Sequence, residues 1–305
     1  MMLVRVLGAV EICTQECVFP VMPAQRSAVF AALVVEAGRP VAVDTIVDRV
    51  WGAEPPQRAR AALHTHVTRI RRLMEQAGVS ARLARRAGGY VIEIEPDEID
   101  VYRFRRLAKQ ADDPGRAEVE RTSLLSEALG LWCGEPLPGI RGEWADRVRS
   151  TWRRYHVDAT LAWARIGEPA AVINPLTELA DQDPMDESVA MALMRALAAA
   201  GRPAQALDLY LRFRRRLIEE LGVEPGPELR DLHRAILRGD ASALRQPRDR
   251  DSRTFYVQRI TDVSASRVAD GVVWADGSAS LRWNRFEDAF AADIDGETTR
   301  LVWLD

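Results

Sequence analysis

The chain has 305 residues, with 42 basic and 45 acidic side chains, a net charge of −3, three cysteines and four histidines. That length suits two or three domains with sizeable cores, and the slight acidity excludes a uniformly basic nucleic-acid coat, so any anion-binding surface has to be local. Cys13, Cys17 and Cys133 are odd in number, and with the histidines they show no metal-ligand spacing, which argues against a disulfide framework and a zinc site.

Residues 3–21 carry β-formers in short runs (Leu3 to Leu7, Val10 to Ile12, Val18-Phe19) around Gly8, a pattern that predicts short antiparallel strands. The N-terminus has no signal h-region and no later stretch approaches 18 apolar residues, so a soluble, cytoplasmic protein without a membrane partner is expected. Pro23 then precedes a helical stripe over Ala24–Ala37, with Val29, Phe30 and Leu33 inward and Gly38 as its close. A shorter helix is expected from Val43 to Val50, with Asp44 as N-cap, before Trp51-Gly52 and the break at Pro55-Pro56.

The chain is organised around the stretch Arg58 to Met74, RARAALHTHVTRIRRLM. At 100° per residue Leu63, Val67, Ile70 and Met74 form one narrow stripe, as in an amphipathic helix lying on a core. Thr65, Thr68, Arg69 and Arg72 fall opposite, and His64 and Arg71 share a flank. From Arg58 to Tyr90 there are eight arginines and a single acid, Glu75, so the stretch is strongly basic in an otherwise acidic chain. Arginine pairs bidentately with guanine edges and with phosphates, and threonine can contact either. Arg82 to Arg86, the glycine turn at Gly88-Gly89 and Tyr90 to Ile94 then read as a hairpin whose first strand ends in two arginines. Sheet, three helices and a basic hairpin describe a winged helix.

The runs PVAVDTIVDRVWG, ARAALHTHVTRIRRLM and RRAGGYVIEI resemble the winged-helix DNA-binding domain of the OmpR type. The resemblance implies that the third helix enters a major groove and that the arginine before the hairpin turn reaches phosphates or the minor groove. By position, His66, Thr68, Arg69 and Arg71 match the contacting residues and Arg86 matches the hairpin arginine. The family's arginine near the helix start is Ala61 here, which leaves Arg58 and Arg60 to anchor that end. Facing away from the core, Thr65, Thr68, Arg69 and Arg72 are the expected base contacts; His66, Arg71, Arg85 and Arg86 are the expected backbone contacts.

Residues 98–245 read almost wholly as helix. Leu193, Leu197, Gly201, Ala206 and Tyr210 have the spacing of a helical hairpin turning at Gly201-Arg202-Pro203, which resembles a tetratricopeptide repeat. Weaker helical units run through Leu124–Trp132 and Trp152–Ala164, and Pro169 and Pro175 are expected as breaks before Leu176–Ala180. Trp132, Trp144, Trp152 and Trp163 are read as core packing. Gly222 is expected to end one helix and Pro227 to open the next.

IDVYRFRRLAKQA, EALGLWCGEPL and ALDLYLRFRRRLIEELGVEPGPELRDLHRAILRGD look like the bacterial transcriptional activation domain. Behind an OmpR-type winged helix, this is the architecture of the Streptomyces antibiotic regulatory proteins, and the resemblance covers roughly residues 3–245. It implies a transcriptional activator that binds direct repeats upstream of promoters, as a dimer on DNA, and recruits RNA polymerase holoenzyme, often for a secondary-metabolite gene cluster. The expected place of action is the nucleoid.

After a polar linker, residues 253–305 are acidic and β-rich, with strands expected over Thr254–Ile260, Gly271–Trp274, Ser278–Trp283 and Thr298–Leu304 and turns at Asp276-Gly277 and Asp295-Gly296. The expected fold is thus mainly α and multidomain: a winged helix-turn-helix (1–95), a tetratricopeptide-like helical domain (98–245) and a small antiparallel β module (253–305). No GxSxG, GxxxxGK[ST], HExxH or strand-linked GxGxxG motif supports catalysis or a cofactor. Two other readings stay open on the sequence, a ligand-responsive winged-helix repressor and a repeat-based scaffold for protein partners.

Overall fold

The computed structural model describes residues 3–79, 81–86 and 88–240 and, between 275 and 301, the backbone of four strands. The chain opens with β1 (Leu3–Arg5), β2 (Glu11–Cys13) and β3 (Val18–Pro20), an antiparallel sheet in which Val4 faces Ile12 and Ile12 faces Phe19. Val4 and Ile12 are buried, and the polar Arg5 and Glu11 alternate with them along the strands.

Helix α1 (Ala24–Val34) follows a cis peptide at Met22-Pro23 and is buried from Ser27 to Val34. It stops short of the expected Ala37; Val35 caps it, and a backbone bond from Gly38 to Ile92 takes the chain into a second sheet. That sheet has the order β4-β6-β5, from β4 (Val41–Ala42), β5 (Arg82–Arg86) and β6 (Gly89–Glu93). Gly89 has to be glycine: a Cβ there would lie 1.9 Å from the Val41 carbonyl oxygen, so any side chain would force β4 off β6.

Between β4 and β5 lie α2 (Val43–Trp51) and α3 (Ala59–Gln76). Asp44 is not the N-cap of α2. Ala42 holds that position and makes no side-chain cap, while Asp44 sits in the first turn, where a carboxylate favours the helix dipole. Helix α3 buries Ala59, Leu63, His66, Val67, Ile70 and Met74, the expected stripe with His66 added.

The described helical region comprises α4 (Asp100–Ala111), α5 (Glu118–Leu129), α6 (Glu143–Ile166), α7 (Pro169–Gln182), α8 (Glu187–Ala199), α9 (Pro203–Leu221) and α10 (Pro227–Arg238). Pro175 does not break the chain; it lies inside α7. A mid-helix proline removes one backbone bond, and here buried Val172, Ile173, Leu176 and Leu179 hold the helix together by packing. Asp186 caps α8 by accepting the Ser188 and Val189 amides, and Gly222, at φ 69°, closes α9 in the left-handed conformation glycine tolerates.

The tryptophans belong to packing. Trp152 is buried, Trp132 stacks on His156 with ring centroids 4.2 Å apart, and Trp144 lies 5.5 Å beneath the Arg49 guanidinium. Core side chains run without interruption from Val4 through Ile92, Ile99 and Phe104 to Trp152 and Ala159, so the division expected at residues 95–98 passes through a common core.

The seam is held by backbone as well as by apolar contact. Asp100, 1 % exposed, accepts the Val6 and Leu7 amides at 2.8 Å each and the Val101 amide at 2.7 Å. The Cys133 amide donates to the Leu7 carbonyl at 2.8 Å, and the Tyr102 hydroxyl donates to the Val35 carbonyl at 2.7 Å. Residues Met1–His233 form one compact unit and Arg234–Asp305 another.

In the second unit β7 (Ala275–Asp276), β8 (Ala279–Asn284), β9 (Ala289–Ile294) and β10 (Glu297–Leu301) form an antiparallel sheet of order β10-β9-β8-β7. Strand β9 has no counterpart in the sequence expectation. Its residues AFAADI alternate too weakly for a strand pattern to stand out. The strands expected over Thr254–Ile260 and Gly271–Trp274 lie outside the described residues.

Candidate nucleic-acid interface

Helix α3 presents its polar side to solvent because its apolar positions recur every three or four residues and seat it on α1. Arg58, Arg60, Thr65, Thr68, Arg69 and Arg72 are all exposed along α3 and its entry, and Arg85 and Arg86 are exposed at the end of β5. The structure thus brings together on one unit the threonines and arginines singled out from the sequence, with Arg71 partly buried among them, and leaves one other candidate out.

That candidate is His66. It is 8 % exposed, with its ring 6.4 Å from that of Trp51, on the side of α3 that packs rather than the side that faces out. The expectation that it reaches a DNA backbone does not fit this position. Its Nδ1 is buried without a hydrogen-bond partner among the described residues. Burial, and then the charges of Arg26 and Arg69, hold its pKa below the ordinary histidine value.

The two threonines are already half-engaged. Thr65 donates its hydroxyl to the Ala61 carbonyl at 3.1 Å and Thr68 donates to the His64 carbonyl at 3.0 Å. With the proton turned back to the helix, each shows solvent an acceptor oxygen and a methyl group. Those groups suit an exocyclic amine of adenine or cytosine and a thymine methyl in a major groove.

The arginines fall into three sets. Arg60 pairs with Asp44 at 2.7 Å and Arg86 with Glu93 at 3.0 Å, both across exposed surface, where an ion pair is worth roughly 0–1 kcal/mol. Exchanging such a carboxylate for a phosphate costs little. Arg58, Arg69, Arg72 and Arg85 form no ion pair among the described residues. Arg71 is partly buried, and its Nε donates to the Leu83 carbonyl at 2.9 Å, fastening α3 to β5. His64 and the Tyr90 hydroxyl, 2.5 Å apart, make a second tie between α3 and the hairpin. Sequence reasoning missed this pair.

Exposed threonines and arginines on the outward side of a helix, with a basic hairpin end on the same unit, are the surface features of a DNA-binding transcriptional regulator. Three family models match the chain: Transcriptional regulatory protein, C terminal, over residues 22–92; Bacterial transcriptional activator domain, over 99–237; and Acb5 phage protein, over 252–305. The regulatory protein DnrI of Streptomyces peucetius is 34 % identical over 231 residues, which cover 70 % of this chain and 83 % of DnrI. AfsR of Streptomyces griseus is 35 % identical over 72 % of this chain, but that match spans only 23 % of AfsR's length.

EmbR of Mycobacterium tuberculosis is 32 % identical over 82 % of this chain and 65 % of its own length. A solved structure of M. tuberculosis EmbR in complex with a low-affinity phosphopeptide has a TM-score of 0.68 at 24 % identity, covering 96 % of this chain and 88 % of that one; this shows likeness of fold. The chain belongs to the Streptomyces antibiotic regulatory protein family of transcriptional regulators, which are not enzymes.

Proposed function

We propose that this protein activates transcription by laying α3 of an OmpR-type winged helix in the major groove of direct repeats upstream of its promoters. The observation that carries the reading is the outward side of α3, where Thr65, Thr68, Arg69 and Arg72 are exposed opposite a buried stripe. These four read base edges. Arg58, Arg60, Arg71, Arg85 and Arg86 hold the phosphates on either side and set the register. Two copies occupy adjacent repeats, and the helical region from α4 to α10, with its tetratricopeptide-like hairpins, recruits RNA polymerase holoenzyme.

The family relationship supports activation, and membership of the Streptomyces antibiotic regulatory proteins favours a secondary-metabolite gene cluster as the target. The site of action is the nucleoid of the cytoplasm. Among the described residues no helix is long and apolar enough to cross a membrane.

The test is a titration of full-length protein on its own upstream DNA and neighbouring promoters, at two salt concentrations, with random duplex as competitor. Preference for a repeated site, with a second copy adding after the first, is the expected outcome. Binding governed by salt alone, without sequence preference, would remove the regulator reading.

A further inference from the structure

Helices α7, α8 and α9 frame a cavity of about 850 Å³ in the first unit. Its floor is apolar, made by Ile173 of α7, Leu193 and Leu197 of α8 and Phe213 of α9, all buried. Along α9 the lining runs from Ala204 to Glu219, about 22 Å of helix at 1.5 Å per residue. The rim lies open to solvent, with Thr177, Asp181, Asp208, Arg212 and Arg215 all exposed.

Charge divides the two walls. The wall built from the end of α7 and the start of α8 carries Asp181, Asp183 and Asp186, and no basic side chain of either helix lines it. Asp186 is engaged as the cap of α8, and Asp183 accepts the Met185 amide at 3.3 Å. Asp181 is exposed and forms no ion pair among the described residues. The α9 wall is mixed. Arg212 pairs with Asp208 at 3.1 Å and Arg216 with Glu220 at 3.4 Å, while Arg215 and Glu219 form no ion pair among the described residues.

The length and the open rim decide what fits. A site for a compact small molecule buries most of its ligand's surface, which an open channel of this length does not do. An extended peptide docks by adding to a strand edge, and every wall here is helix. A helix satisfies its own backbone and can lay an apolar edge on the floor. Complementarity with Asp181 and Asp183 then makes one of its flanks basic.

We propose that the groove between α7 and α9 docks a basic amphipathic helix of RNA polymerase holoenzyme, its apolar edge on Leu193 and Phe213 and its cations against Asp181 and Asp183. The proposal rests on the recruitment reading above and narrows it from seven helices to three.

The experiment measures recruitment of purified holoenzyme to the promoter by full-length wild type, Ala204→Trp, Asp181→Arg and Arg215→Glu, with melting and promoter binding measured on each. Ala204 is exposed in the first turn of α9, so a tryptophan there fills the groove without entering the core. All four proteins should melt alike and bind promoter DNA alike. Ala204→Trp should abolish recruitment. Asp181→Arg should weaken it about two- to tenfold, and less as salt rises, because an exposed attraction becomes a repulsion. Arg215→Glu should strengthen it by extending negative charge to the second wall. Should the tryptophan lower the melting temperature, the two exposed charge variants decide.

Wild type that binds its promoter but recruits no holoenzyme would overturn the recruitment reading and the groove with it. Wild type that recruits, with all three variants recruiting equally, would overturn the groove alone. Charge effects of the opposite sign, stronger for Asp181→Arg and weaker for Arg215→Glu, would mean an acidic occupant and would reject the basic helix.

Discussion

At the scale of single residues, the interface divides by what each side chain can and cannot do once folded. Among the described residues Arg69 and Arg72 have no carboxylate partner, so in the proposed interface neither gives up an ion pair on binding DNA. Arg69→Ala should cost about 1–3 kcal/mol on a cognate site and relax preference at one base pair; equal weakening on random DNA would make Arg69 a phosphate contact. Arg86 gives up only an exposed pair with Glu93, so Arg86→Ala should weaken all sequences alike and lower the salt slope by roughly one unit. An unchanged slope would take the hairpin end out of the interface.

The buried Asp100 and the half-buried His156 titrate in opposite senses. Burial pushes the Asp100 carboxyl up to about 7, against the pull of its three backbone amides and Arg5. Burial pulls the His156 imidazole, stacked on Trp132, down to about 4. A carboxyl with a raised native pKa binds more protons folded than unfolded, so its contribution falls as pH climbs from about 4 to about 7. A histidine with a lowered pKa binds fewer protons when folded, so its contribution rises over about 4 to 6.5. Over the range they share, the two contributions oppose each other. Relative to wild type, urea unfolding between about pH 4.5 and 7.5, a range set by those values, should show stability that gains with pH for Asp100→Asn and loses with pH for His156→Gln. Parallel curves for all three proteins would contradict both assignments.

At the scale of elements, the buried stripe of α3 decides whether the outward side exists at all. Leu63 and Val67 are fully buried, and Leu63→Ala should cost about 2–5 kcal/mol of stability. A melting curve like that of wild type would contradict the orientation of the helix. The amphipathic period made this element legible from sequence, as the arginine-flanked glycine turn did the hairpin. His66 was misjudged because it lies on the border between stripe and solvent, where a residue's neighbours on α1 and α2 decide and the period of one helix does not. Asp44 and Pro175 were misjudged for a related reason: local capping and breaking rules are worth a few kcal/mol at most, and packing outweighs them.

At the scale of the molecule, the sequence suggests separate domains over 1–95 and 98–245 ahead of the β module at 253–305, and the structure of the first unit shows one core running from Val4 to Ala159. Nothing in the pattern of either half announces this. Asp100 falls in a helix start that would be unremarkable on a surface, and only contact with Val6 and Leu7 makes it a clamp.

A shared core has a consequence for the promoter. If α3 is fixed in a groove, α4 to α6 cannot swing around it, so they point to one side of the duplex. The separation between operator and promoter is then an angular quantity as well as a length. Inserting about 5 bp should turn the helices to the far side and abolish activation in a reporter assay, while about 10 bp, close to one helical turn, should restore much of it. Binding itself would be untouched by either insertion.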